Sequence, residues 1–278
     1  MKREELLIEE EELVTIIDDP NLRLFDATVV LNPAAAETGH DRYLAGHIPG
    51  SVFLDHAVIS DPNSHLMYTM PDEKTLGRAI GALGISNDTP VVVYSTDMLA
   101  WATRIWWVLQ YAGHRNVRVL NGGLQAWRGA LEIAENKYVP TSFNTDFSPQ
   151  MFASKEEVLA SITDGSACVV NTLTPEMYKG EADVFYAGHI SGSVNHPFVE
   201  LMAEGYLLPD TTLAEILEQK MIGDRLITYC GGGIAATLNA CVAKLVGVDN
   251  VAVYDGSMSE WMAEELPITT GADKGSLA

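Results

Sequence analysis

Three short segments recur, in the same order, in the two halves of the chain. AGHIPGSV at Ala45–Val52 returns as AGHISGSV at Ala187–Val194. VVVYS at Val91–Ser95 returns in pattern as LITYC at Leu226–Cys230, and VRVLNGGLQAW at Val117–Trp127 returns as VAVYDGSMSEW at Val251–Trp261. One such match arises by chance; three collinear ones mark a duplication. Whatever one half folds into, the other must fold into as well. The 278 residues therefore divide into two homologous domains, residues 1–135 and 150–278, joined by a linker at 136–149. That linker is polar, carries Pro140 and Pro149, and has no clear periodicity.

Within each copy, short apolar runs alternate with helical stretches. Leu22–Phe25, Val91–Tyr94 and Val117–Leu120 are short, apolar and unalternating, the pattern of strands buried on both faces. The second copy offers Cys168–Val170, Leu226–Tyr229 and Val251–Tyr254. Helical patterns fall between them, over Asp72–Leu83, Trp101–Ala112, Ser154–Ile162, Leu213–Lys220 and Ala235–Val246. Strands separated by helices predict βαβ units. The fold class is α/β, each domain a mostly parallel sheet flanked by helices. In such sheets ligands sit beyond the carboxyl ends of the strands.

Charge narrows the function. Lys and Arg number 17 against 38 Asp and Glu, a net charge of −21. So acidic a surface repels phosphate backbones and anionic lipid, which excludes nucleic-acid partners and polybasic membrane docking. The cysteines, Cys168, Cys230 and Cys241, form no disulfide framework and point to a reducing compartment. The opening MKREELLIEEEELVTII lacks the apolar core of a signal peptide. The most apolar stretch, Trp101–Gly113, is interrupted by Arg104 and Gln110 and is shorter than the ~20 residues of a membrane span. The expectation is a cytoplasmic protein with no membrane partner. No Cys/His cluster has zinc-ligand spacing, so neither metal nor cofactor is expected.

Chemistry concentrates where the strand Leu226–Tyr229 runs into Cys230-Gly231-Gly232-Gly233-Ile234-Ala235, with a helix directly behind. Consecutive glycines accept positive φ without a Cβ clash. Their N–H groups can turn toward one centre as an anion-binding nest, reinforced by the positive end of the helix. Such a site stabilises an anionic sulfur, the reactive form of cysteine. The first copy has Ser95 at the matching position, followed by Thr96-Asp97-Met98-Leu99 without a glycine. One copy is therefore read as active and the other as degenerate. Cys168 and Cys241 fall in a strand and a helix and are expected to be buried and structural. His47 and His189 occupy matching segments in both copies, which points to a fold element rather than catalysis. His56, His65 and His196 have no counterparts and are expected on a solvated surface. Trp127 and Trp261 match and should pack on their own sheets. Arg104 lies in a buried-looking helix and needs a partner that the sequence does not name.

Taken together these residues resemble the tandem-domain rhodaneses, the thiosulfate and 3-mercaptopyruvate sulfurtransferases. Tyr43 through Gly50 is similar to the family's amino-terminal signature, and Phe185 through Gly192 to its second copy, with Ser191 in place of proline. Val251 through Trp261 is similar to the carboxy-terminal signature, with Met258 where an aromatic is usual. The resemblance implies a sulfurtransferase in which Cys230 takes sulfur from an anionic donor as a persulfide and passes it to a thiol or cyanide acceptor. It implies donor binding by Gly231, Gly232, Gly233, Ile234 and Ala235. Basic residues that thiosulfate-preferring members carry in this loop are missing. Gly232 stands where mercaptopyruvate-preferring members have serine. Where the family places substrate-clamping arginines, the chain offers only Lys179. A cysteine phosphatase would need an arginine at position 236, which is Ala236. The remaining alternative is a non-catalytic sulfur carrier or anion-binding regulatory protein.

Overall fold

A computed structural model describes residues 1–31, 34–181, 188–218 and 224–276. Both halves carry the same five-stranded parallel sheet. In the first, the order is Leu7–Ile8, Val117–Leu120, Val91–Tyr94, Arg23–Asp26, Val52–Phe53. In the second it is Phe152–Ala153, Val251–Tyr254, Leu226–Tyr229, Cys168–Asn171, Val194–Asn195. Central strands stand within a residue or so of the expected spans, because buried unalternating runs are visible in sequence. The edge strands are two residues long, too short to carry any periodicity. Two antiparallel pairs complete the second half: Met202–Ala203 with Tyr206–Leu207, and His189–Ile190 with Ile268–Thr269.

Helices follow the expected spans closely: Glu73–Ala82, Ala100–Tyr111, Lys155–Asp164, Asp210–Glu218 and Ala235–Leu245. Lys220, the predicted end of the fourth, lies outside the described residues, as do Phe185 through Ala187 of the second repeat segment. Two of these helices decide how the halves meet. Ala100–Tyr111 is buried from Ala100 to Leu109, and Ala235–Leu245 is buried except at Lys244. A helix apolar on every side needs cover on every side. Each covers its own sheet and packs on the other, and the Thr103 and Thr237 hydroxyls bond across the seam at 2.9 Å. One apolar core consequently runs through both halves, containing Trp106 and Trp107 of the first and Leu238 and Val242 of the second.

Residues 136–149 form no strand and contribute only Pro149 to a helical turn. They are strapped along the first half. The Thr141 N–H donates to the Gly81 carbonyl at 2.8 Å, and the Asp146 N–H to the Ala112 carbonyl at 2.9 Å. Among the described residues no helix is long and apolar enough to cross a membrane. None of the described His, Cys, Asp and Glu residues gather in a group able to hold a metal ion.

Candidate active site

Cys230 closes the central strand of the second sheet, at its carboxyl end, and is 2% exposed. The backbone beyond it is anchored by its carbonyl oxygens. The Cys230 carbonyl accepts from the Met258 N–H at 3.1 Å. The Gly231 carbonyl accepts from the N–H and the hydroxyl of Ser259 at 2.9 and 2.8 Å. The Gly233 carbonyl accepts from Arg104 Nη1 at 3.3 Å, and that of Ile234 from the Thr237 N–H and hydroxyl at 3.0 and 2.7 Å. A trans peptide points its C=O and N–H in opposite directions. The amides of Gly231, Gly232, Ile234 and Ala235 are therefore turned away from these anchors, and no described residue accepts from them.

Not every amide is left free, as a simple nest would require. The N–H groups of Cys230 and Gly233 both donate to Ser257 Oγ at 3.1 Å, and that hydroxyl donates to the Tyr254 carbonyl at 2.8 Å. Gly233 takes φ +74°, and a Cβ there would lie 2.7 Å from the Asp255 carbonyl oxygen. Glycine is thus required at this position. Gly232 is the half-exposed residue of an otherwise buried loop.

The first half reaches the loop through Arg104. This buried guanidinium pairs with Asp255 at 2.8 Å, bonds the Gly233 carbonyl and bonds the Tyr68 carbonyl. The Met70 N–H donates to the other Asp255 oxygen at 2.7 Å. Arg104's partner is a carboxylate of the other repeat, which periodicity along one helix could not reveal. Ser257 is a second residue the sequence reading missed. Its signal lies in the repeat itself: it faces Gly123 of the first copy, which has φ +61°, while Ser257 has φ +49°. Lys179 is not brought to the loop by any described contact. It pairs with Glu181 at 3.8 Å, and its carbonyl accepts from the Gly271 N–H.

The histidines sort as follows. His47 and His189 are fully buried, stack on Tyr43 and Tyr178 at 3.8 and 3.6 Å, and bond the carbonyls of those tyrosines through Nδ1. Their repetition is that of a fold element. His65 is exposed. His56 and His196, expected at the surface, are buried at 1% and 3% exposure. His56 Nε2 bonds the Ala27 carbonyl beneath Trp101, and His196 Nδ1 accepts from Asn239. Both follow a short edge strand that folds them inward, and the sequence gives no period there. Burial lowers the His56 pKa to about 4. Cys241 is buried as expected and burial pushes its thiol up; Cys168 is only half-buried. Trp261 is buried and edge-on to Tyr254, while Trp127 packs half-buried on the first sheet.

In the first copy, Ser95 ends the matching strand but turns its hydroxyl to the Met98 carbonyl at 2.8 Å. Asp97 takes φ +70° where a glycine would serve and pairs with Arg42. No thiol and no glycine run remain there.

The sequence model of the Rhodanese-like domain matches residues 9–130 and 154–264. The chain belongs to the rhodanese family. It is 32% identical to the 3-mercaptopyruvate sulfurtransferase of Escherichia coli K12, over 91% of this chain and 93% of that one. It is 35% identical to the thiosulfate sulfurtransferase of Mus musculus, over 90% and 88%. The solved rhodanese fold of SseA, an Escherichia coli 3-mercaptopyruvate sulfotransferase, superposes with a TM-score of 0.83 at 29% identity, covering 92% of this chain and 99% of that one. Both halves of this rhodanese are matched, but only the second carries the cysteine loop.

Proposed function

We propose that this rhodanese is a sulfurtransferase that carries sulfane sulfur on Cys230, drawing it from a small anionic donor such as 3-mercaptopyruvate or thiosulfate. The observation that carries the reading is the anchoring of the Cys230, Gly231, Gly233 and Ile234 carbonyls on Met258, Ser259, Arg104 and Thr237. It leaves the Gly231, Gly232, Ile234 and Ala235 amides to face an anion. They stabilise the Cys230 thiolate, then the donor's charge, then the persulfide. The donor approaches from the side of Gly232, the half-exposed loop residue.

Thiolate attack forms a sulfur–sulfur bond to the donor's transferable sulfur. With thiosulfate, the donor's own S–S bond breaks and the electron pair leaves on sulfite. With 3-mercaptopyruvate, the C–S bond breaks, the pair leaves on the pyruvate enolate, and the donor's thiol proton ends on that carbon. A thiolate or cyanide acceptor then attacks the outer sulfur and Cys230 departs as thiolate. Lys179, 3.8 Å from Glu181, is the basic candidate for the donor's carboxylate. Three free cysteines support a reducing, cytoplasmic setting.

The test is turnover with each donor side by side, with intact mass after donor alone. Wild type should gain one sulfur and turn over; Cys230→Ser should do neither while melting like wild type. A tenth of wild-type turnover in that variant would sink the proposal. Ordinary thiol reactivity with no turnover would favour the carrier or anion-binding reading.

A further inference from the structure

We infer that Arg104, a side chain of the half without the cysteine, is the residue that positions the Cys230 loop and makes sulfur transfer depend on the docking of the two halves. Arg104 is buried and its guanidinium reaches three groups at once: Asp255, the Gly233 carbonyl and the Tyr68 carbonyl. The Gly233 contact is the informative one. Gly233, at φ +74°, has no Cβ to restrict the peptide plane that follows it, so the bond to its carbonyl sets how that plane is turned. Arg104 fixes it. Since C=O and N–H oppose each other across a trans peptide, the same bond sets the direction of the Ile234 amide. On the other anchored carbonyls the donors come from the second half: Met258, Ser259 and Thr237. The loop therefore has one anchor that belongs to the first half.

Asp255 explains why the anchor holds. One carboxylate oxygen lies 2.8 Å from Arg104 Nη2 as an ion pair without hydrogen-bond geometry, and the second accepts the Met70 N–H. The Tyr68–Met70 segment of the first half is thereby tied to the second at the loop itself. Arg104 acts through the backbone it holds: its bonds run to the Gly233 and Tyr68 carbonyls, and its role is to position the loop. A fork of planar donors can bond two carbonyls at once beside a carboxylate, whereas an ammonium is a compact point charge.

The inference rests on the Cys230 reading, and the experiment separates the two. Arg104→Lys keeps the charge opposite Asp255 but not the fork. Alkylation of Cys230 by iodoacetamide, localised by peptide mass and followed across pH, should slow about tenfold in a protein that melts like wild type, with kcat falling in step. Asp255→Asn, close in shape to the native side chain, is the second variant: with the guanidinium no longer held by a carboxylate, the same profile should slow. Wild-type alkylation and kcat in either folded variant overturn the role of Arg104 while leaving Cys230 untouched. A tenth or more of wild-type turnover in Cys230→Ser overturns the underlying reading instead.

Discussion

Ser257 does at the residue scale what a glycine cannot. It occupies the left-handed region at φ +49°, where its counterpart in the other copy is Gly123, and its hydroxyl takes the amides of Cys230 and Gly233. Replacing the hydroxyl leaves two buried donors unpaired, so Ser257→Ala should lower stability by about 1–3 kcal/mol and slow turnover. Ser257→Gly relieves the backbone and should recover part of the stability but none of the turnover. Urea melts with paired rate measurements separate the two effects; full activity in both variants would show that the hydroxyl is idle. His56 offers a pH signature. Its folded pKa of about 4 lies below the ordinary 6.5, so the unfolded chain binds the extra proton. Its contribution is fully present above about pH 6.5 and fades as pH falls toward 4, by up to about 3 kcal/mol. His56→Leu should flatten the fall in melting temperature between pH 7 and 5, and an unchanged slope counts against the assignment.

The element that matters most is strand, loop and helix taken as one piece. Leu226–Tyr229 and Ala235–Leu245 were legible because buried strands and helices keep their own periods, and three consecutive glycines mark the turn between them. Which glycine is indispensable was not legible. Gly233 alone of the three combines positive φ with a Cβ position 2.7 Å from a backbone oxygen. Gly233→Ala should therefore destabilise by about 1–3 kcal/mol and cut turnover. Gly232, whose nearest neighbour to an added Cβ is the Ser259 hydroxyl at 3.8 Å, should accept alanine with its fold intact. Equal melting temperatures for the two variants would contradict this ranking. The burial of His56 and His196 belongs to the same scale: each follows a two-residue edge strand, and so short an element shows neither a face nor a direction in sequence.

Across the whole molecule, duplication has left a cysteine and a glycine run on one loop and neither on its counterpart. Ser95→Ala removes only a local bond to the Met98 carbonyl, so turnover should stay within about twofold of wild type. A loss matching that of Cys230→Ser would assign chemistry to the first half. The shared core predicts how the chain unfolds. The Ala100–Tyr111 and Ala235–Leu245 helices cover one another, and neither has a polar face to offer water. Urea should produce a single transition by both fluorescence and circular dichroism. Two separated transitions would mean that the seam contributes little.

The duplication, the α/β class, the parallel central strands and the cysteine at the end of one of them are all readable along the chain. Each is written in local order, as a repeat, a period or a run of glycines. That Arg104 meets Asp255, that Ser257 takes two loop amides, and which way the loop's peptides face are set by how the folded chain brings its parts together. Those contacts join residues 151 positions apart in the first case and 27 and 24 in the second, and a contact between residues so far apart leaves no trace in the spacing of either one.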